Sequence, residues 1–459
     1  MIAADLAAWA RSLTIDSIPE YVRAAAQRHL LDGVGNAVAA RRLGQAGPAL
    51  PVARGLGGPP QAHPLGDTAA VSAPAAAFAN GVLMHVLDFD DTHAGALVHP
   101  TTVVAPAVLA VAEETGAGGA EAVTALVAGL EVACRLGAAA PHGFHSRGLH
   151  ATAVVGPPAA AVAATLLYQG SAATAADAIG IAASSSGGLL EFLDTGANTK
   201  TLHPGSAGLN GVLAARLAVA GAVGPDSVLE GRRGLYRTLA DRAADADAIL
   251  GDLGERWECA SIGIKPYPSC QLMHAALDAV AAALDTAALP PERVTSIAVD
   301  VHPDSAAIVC GPDTGRRRPR SPYEAKFDLP WSVAALIHDR RITVDTYAVS
   351  SIARPEVEAT AATVAVTTVP DTRPAADAAG HAVLTLDDGT IVTGRVPASR
   401  GTSARPMDDA AVRAKFLANT GGGPSAATLA DTVFHLWEAE SVAAVTTLAA
   451  ELVPDHQRL

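Results

Sequence analysis

Aromatic residues are scarce in this 459-residue chain: 7 Phe, 6 Tyr and 4 Trp make up 4% of it, although half of the residues are hydrophobic. A core short of rings is packed from Ala, Val and Leu, whose small side chains let helices approach closely. Cysteine is also rare. Cys134, Cys259, Cys270 and Cys310 have no CxxC spacing, which argues against a zinc ribbon and a disulfide scaffold and fits a reducing cytoplasm. Basic charge is in deficit, with 32 Lys and Arg against 46 Asp and Glu and a formal charge of -14, so overall charge does not favour binding to nucleic acid or an anionic membrane. An anionic substrate must therefore meet a local group of cations. The start of the chain lacks the basic residues and apolar run of a signal peptide, with Arg11 and Asp16 close behind Met1, and a cytoplasmic location is expected. One uncharged run, Ala151 to Ala176, is long enough for a bilayer. Its Pro157, Pro158 and Gln169, with several Gly, Ser and Thr, mark it instead as a buried helix that follows an irregular turn.

What is present up to about residue 250 is a series of Ala-rich segments separated by Gly and Pro. Helices are predicted near 20–41, 70–87, 101–115, 119–137, 157–168, 172–186 and 205–221, many of them apolar around most of the circumference, as in the centre of a large bundle. The pattern changes after Pro290. Val294, Ile297, Val299 and Val301 begin a β-rich stretch, Thr363 to Val369 resembles a second strand, and Ala382 to Leu386 and Ile391 to Val396 flank Asp387-Asp388-Gly389-Thr390 as a hairpin. Leu329 to Ile337 is helix-like, and the tail from about 407 is helical again. The expected fold class is mainly α: a large all-helical domain from 1–265 and 405–459, and a smaller α+β lid domain from 266–404.

Four segments concentrate polar chemistry. His85-Val-Leu-Asp88-Phe-Asp90-Asp91-Thr92-His93 with His99-Pro100-Thr101 places carboxylates and imidazoles together after an apolar helix, where they can cap, bind a cation or move protons. Neither a DDxxD pattern nor HExxH is present, which disfavours a terpene cyclase and a zinc hydrolase. Gly143-Phe-His145-Ser-Arg147-Gly-Leu-His150-Ala-Thr152 sets His150 just before the long uncharged segment, where a buried neutral imidazole acts as acid or base or simply belongs to the core. Asn198-Thr199-Lys200-Thr-Leu-His203-Pro-Gly205 suits either an anion site or an ordinary turn. In Gly263-Ile-Lys265-Pro-Tyr267-Pro-Ser269-Cys270, followed by His274, the prolines hold an extended segment that presents Lys265, while Cys270 is either a nucleophile or an inert thiol.

In this order, and with Tyr323-Glu-Ala-Lys326-Phe-Asp-Leu-Pro330-Trp331 as a fifth piece similar to an AKFSLPY run, the segments resemble the MmgE/PrpD family, which includes 2-methylcitrate dehydratase, cis-aconitate decarboxylase and iminodisuccinate epimerase. The resemblance implies a helical domain built from both termini, an α+β lid with the active site between them, a homodimer, and chemistry without metal, flavin or nucleotide. It carries the polar site onto Asp88, Thr92, His99, His150, Lys200 and Lys265, with His274 nearby. Trp331 stands where the family run often has Tyr, so it offers no phenol and can only wall a ligand.

These implied residues form a consistent chemistry. Lys200 and Lys265 stabilise an aci-carboxylate, His99 and His150 exchange protons, and Asp88 and Thr92 orient an imidazole or a hydroxyl. Arg147, His203, His274, Lys326 and Trp331 are the expected substrate contacts, and Arg316-Arg317-Arg318 is either a carboxylate-attracting loop or a solvated face. The leading expectation is a cofactor-independent dehydratase of a hydroxylated di- or tricarboxylic acid. Epimerase and decarboxylase are the alternatives of the same family, and a non-catalytic carboxylate-binding protein is the alternative of another class.

Overall fold

The computed structural model describes residues 1–285, 289–310 and 318–454; Arg316 and Arg317 lie outside the described residues. The fold is mainly α, with twenty α-helices and a four-stranded sheet among the described residues. Two compact units divide the chain. One comprises Met1–Leu190, Thr199–Ile262 and Asp408–Leu459, the other Glu191–Asn198 and Gly263–Met407.

The first unit is a helical assembly. Helix Glu20–Arg42 follows Pro19, carries Glu20 in its first turn and is buried along most of its length, taking the polar residues His29, Asp32 and Asn36 into the interior. The C-terminal segment packs on it through helix Asp409–Thr420. Gly35 leaves room for Phe416, Lys415 pairs with Asp32 at 2.6 Å, and Asn419 donates to Asn36 at 2.9 Å. Helix Ala73–His85 crosses helix His203–Val219 where Gly81 meets Gly205: a Cβ on Gly81 would lie 2.7 Å from the Gly205 Cα. Only glycine at both positions permits that approach. It brings the end of one helix, His85, toward the start of the other, His203.

The uncharged segment departs from the sequence expectation at its start. The predicted helix begins at 157, but the observed helix Ala151–Leu167 runs straight through Pro157 and Pro158. Proline lacks the N–H that would bond the carbonyl four residues earlier, a loss of about 3 kcal/mol in a helix interior. The Ala153 carbonyl left by Pro157 instead accepts from Gly187 N at 3.4 Å. Burial of Val154, Val155, Val162 and the surrounding alanines offsets the rest. Among the described residues no helix is long and apolar enough to cross a membrane.

In the second unit, β1 (Val294–Val301), β2 (Val364–Thr368), β3 (Gly380–Leu386) and β4 (Ile391–Val396) form a sheet in the order β2-β1-β3-β4. β1 pairs parallel with β2, Ile297 opposite Val364, and antiparallel with β3, Ile297 opposite Leu384. β3 and β4 make the predicted hairpin, with Gly389 at φ 82 in the turn. Every second residue of β3 is buried. That face joins one core with helices His274–Asp285 and Leu329–Asp339, including Leu277, Val280, Trp331 and Leu336.

Candidate active site

The helix Ala73–His85 ends in a turn that carries the acidic cluster of the first unit. Asp88 adopts φ 52, a left-handed conformation that an Asp tolerates better than most residues but that still costs about 1–3 kcal/mol. The turn is held from behind. Lys415 Nζ donates to the Phe89 carbonyl at 2.7 Å and sits 3.7 Å from the centre of the Phe89 ring. Burial raises Asp32, the carboxyl partner of Lys415, to about 6, and the lysine charge opposes that rise.

Each aspartate of the turn has its own partner. Asp88 Oδ2 accepts from Lys200 Nζ at 3.2 Å, with both side chains buried. Asp90 Oδ2 lies 2.8 Å from His85 Nδ1 and 3.4 Å from His99 Nδ1. The Asp91 carboxylate takes the Thr101 hydroxyl at 2.5 Å and pairs with His29 at 3.0 Å, while its carbonyl faces His99 Nδ1 at 2.8 Å. Thr92 Oγ1 is 3.2 Å from the same ring nitrogen, and the Thr152 hydroxyl accepts from the His99 backbone N–H at 3.1 Å.

His150 is the N-cap of helix Ala151–Leu167, and its backbone N–H donates to Gly188 O at 2.9 Å. Its Nδ1 lies 3.0 Å from His203 Nδ1, so one ring donates and the other accepts. Burial, and then the Lys200 charge, push His150 well below the usual imidazole range. Burial first, then His85 and Lys200, lower His203 to about 4; burial, His142 and Lys200 do the same to His145. The rings of His99 and His85 lie 5.9 and 6.3 Å from that of His150. The first unit thus gathers Asp88, Thr92, His99, His150 and Lys200, all buried, with the half-buried His203 into one cluster containing a carboxylate-backed imidazole and a pair of neutral imidazoles.

Arg147 is exposed, on the short turn His145–Arg147. Lys265, His274, Lys326 and Trp331 belong to the second unit and are buried there. His274 Nε2 is 3.2 Å from the Ser269 carbonyl, and Lys326 Nζ lies 5.6 Å from the centre of the Tyr347 ring. Trp331 is fully buried in that unit's core, 5.8 Å from Tyr347 ring to ring. Cys134 and Cys259 are raised well above the thiol range by burial, as inert cysteines are, and Cys270 is partly exposed.

His85 and Asp90 stand in the same sequence segment as the cluster, but no motif there marks them as part of it. The signal that could have singled them out is a histidine at the end of an apolar helix five residues before an aspartate. His85, Asp90 and His99 are also the group, among the described residues, whose metal-ligand-type atoms all lie within 4.8 Å of one another; here His85 hydrogen-bonds Asp90, and His99 lies 3.4 Å from the same carboxylate oxygen.

Residues 4–246 match the MmgE/PrpD N-terminal domain and residues 267–437 the MmgE/PrpD C-terminal domain. The chain is 28% identical to the cis-aconitate decarboxylase of Homo sapiens over 387 residues, 81% of this chain and 78% of that protein. It is 29% identical to the Mus musculus protein of the same name over 350 residues, 75% of this chain and 71% of the other. Similarity to the cis-aconitate decarboxylase of Aspergillus terreus (strain NIH 2624 / FGSC A1156) is 28% over 291 residues, 61% of this chain and 59% of that protein.

Proposed function

The chain belongs to the MmgE/PrpD family, and from that premise we propose that it is a cofactor-independent lyase which forms a carbanion-like centre beside a carboxylate of a di- or tricarboxylic acid. The observation that carries this reading is the buried Lys200–Asp88 pair set in one cluster with His99 and the His150–His203 pair. A buried ammonium stabilises the developing aci-carboxylate where water screening is weak. His99 has its Nδ1 turned to acceptors, which leaves the lone pair on Nε2 to take a proton. In the His150–His203 pair, kept neutral by burial and Lys200, the ring whose Nδ1 accepts carries its hydrogen on Nε2 and can hydrogen-bond the developing oxyanion, while the proton taken up by His99 is the one returned to the product.

Decarboxylation breaks the carbon–carbon bond to a carboxylate, moves its electron pair into the carbon frame, releases carbon dioxide and ends with a proton delivered to carbon. The names of the relatives favour this reaction on a cis-aconitate-like acid. Dehydration removes a C–H proton to a base and releases hydroxide as water with a proton from an acid. The coexistence of a carboxylate-backed imidazole and a neutral pair favours it as the second reading. Lys265 is the proposed second cation, His274, Lys326 and Arg147 are proposed substrate contacts, and the working form is proposed to be a cytoplasmic homodimer.

Proton NMR in deuterated water with citrate, 2-methylcitrate, aconitate isomers, malate and N-substituted aspartates tests the proposal. Loss of a carboxylate marks decarboxylation, vinyl signals with loss of water mark dehydration, and exchange with inversion marks the epimerase alternative. A bound carboxylate that never exchanges a proton overturns the enzyme reading in favour of a binding protein.

A further inference from the structure

His85 and Asp90 are each 1% exposed, and neither has a part in the chemistry above. Their side chains meet at 2.8 Å, His85 Nδ1 to Asp90 Oδ2, and the same oxygen lies 3.4 Å from His99 Nδ1. An ionised carboxylate only accepts hydrogen bonds, so the hydrogen of the short contact belongs to His85 Nδ1. The Asp91 carbonyl, also a pure acceptor, lies 2.8 Å from His99 Nδ1 and places a hydrogen there too. Both rings therefore carry the same tautomer, with the lone pair on Nε2. Among the described residues the buried Nε2 of His85 has no hydrogen-bond partner, so this ring is held through Nδ1. The two rings are 4.9 Å apart.

The neighbouring charges have other partners. Asp88 faces Lys200, the Asp91 carboxylate faces His29 and Thr101, and Asp32 faces Lys415. Asp90 is thus the carboxylate of the turn whose side chain is shared by two imidazoles. We infer that Asp90 is a positioning residue for the acid–base step and that His85 is its anchor. The inference rests on the reading of His99 as an acid–base group. His85 donates to Asp90 and fixes the carboxylate beside His99. The Asp91 carbonyl keeps the His99 lone pair on Nε2, and Asp90, 3.4 Å from His99 Nδ1, steadies the ring and lies next to the positive charge created when Nε2 takes a proton. The arrangement follows the general logic by which a buried carboxylate beside a base orients its ring and stabilises its imidazolium.

The test begins without substrate. In the full chain labelled with [15N]histidine, two-bond 1H–15N correlations are expected to show His85 and His99 protonated on Nδ1 and unprotonated on Nε2, each identified by its loss in His85→Asn or His99→Gln. Either ring in the opposite tautomer overturns the inference. With a turned-over carboxylate, Asp90→Asn is expected to lower kcat by about 10²- to 10⁴-fold while KM changes by less than about threefold. His85→Leu is expected to lower kcat by about 10²-fold, whereas His85→Asn, whose amide nitrogen can occupy the place of Nδ1 and donate to Asp90, returns it to within about tenfold of the parent. Wild-type kcat in Asp90→Asn, or equal losses in His85→Asn and His85→Leu, overturns the inference. If no carboxylate is turned over, the lyase reading fails by itself, and the tautomers still decide this one.

Discussion

At the residue scale the site is organised by the different partners of similar side chains. Asp88, Asp90 and Asp91 lie within four positions, yet one binds a lysine, one two imidazoles and one a histidine and a threonine. His99 and His150 likewise differ, since carboxylate and carbonyl oxygens back the first and another imidazole the second. His99→Ala and His150→Ala are each expected to reduce kcat by about 10²- to 10⁴-fold, measured on whichever carboxylate is turned over; both retaining full turnover would contradict the acid–base assignment. Stability should also depend on these rings. His145 and His203 are lowered from the ordinary 6.5 to about 4, and His150 lies well below it. For a histidine held neutral in the folded chain, the unfolded chain takes up the proton first as pH falls, so this contribution is complete above 6.5 and is lost progressively toward 4. Asp32, raised from 3.8 to about 6, acts in the opposite direction over the overlapping range, but it is one group against three. Thermal unfolding should therefore begin at a lower temperature at pH 5 than at pH 7.5; a higher onset at pH 5 would refute the neutral-histidine cluster.

At the element scale, the position of the site depends on how closely helices approach. A Cβ on Gly205 would come within 2.5 Å of the Phe78 carbonyl oxygen, so Gly205→Ala must push helix His203–Val219 away from helix Ala73–His85. We expect about 1–3 kcal/mol of destabilisation by urea unfolding, together with reduced activity because His203 moves with its helix. Lys415 joins the C-terminal helix to the turn. Lys415→Met leaves Asp32 buried without its cation and should cost about 3–5 kcal/mol at pH 8. The loss should be smaller at pH 5, where Asp32 can be protonated, and urea titrations at the two values measure the difference.

Much of this level was legible in the sequence. Val294, Ile297, Val299 and Val301 marked the stretch in which β1 forms, and Asp387 to Thr390 marked the hairpin. The helices near 20–41, 101–115 and 119–137 were read to within a residue at either end. The start of helix Ala151–Leu167 was not, because the acceptor role of Ala153 toward Gly187 depends on a contact between distant parts of the chain. The candidate polar residues were legible as motifs, but their pairings were not. Nothing in the order of residues 85–99 says which aspartate turns to Lys200 and which is shared by His85 and His99; the left-handed backbone at Asp88 is part of what sets those directions.

At the scale of the whole molecule, the chain combines a helical unit from both termini with a unit built on a four-stranded sheet, and both family domains are matched along its length. The scarcity of aromatic residues is consistent with this design, since alanine and glycine at helix crossings do the packing that rings do elsewhere. In the proposed chemistry the charge is carried by Lys200, Asp90 and the imidazoles, so prolonged dialysis against a chelator should leave activity within about twofold of the untreated protein.

The central claim, carbon-acid chemistry on a polycarboxylate by this chain's own side chains, is tested most directly by following the chelator-treated protein with aconitate isomers, citrate, 2-methylcitrate, malate and N-substituted aspartates in deuterated water by proton NMR. At least one acid is expected to lose a carboxylate or water, with deuterium entering carbon where the reaction delivers a proton there, and His99→Ala is expected to suppress the change. A folded, chelator-treated protein that leaves every acid chemically unchanged and free of deuterium would contradict it.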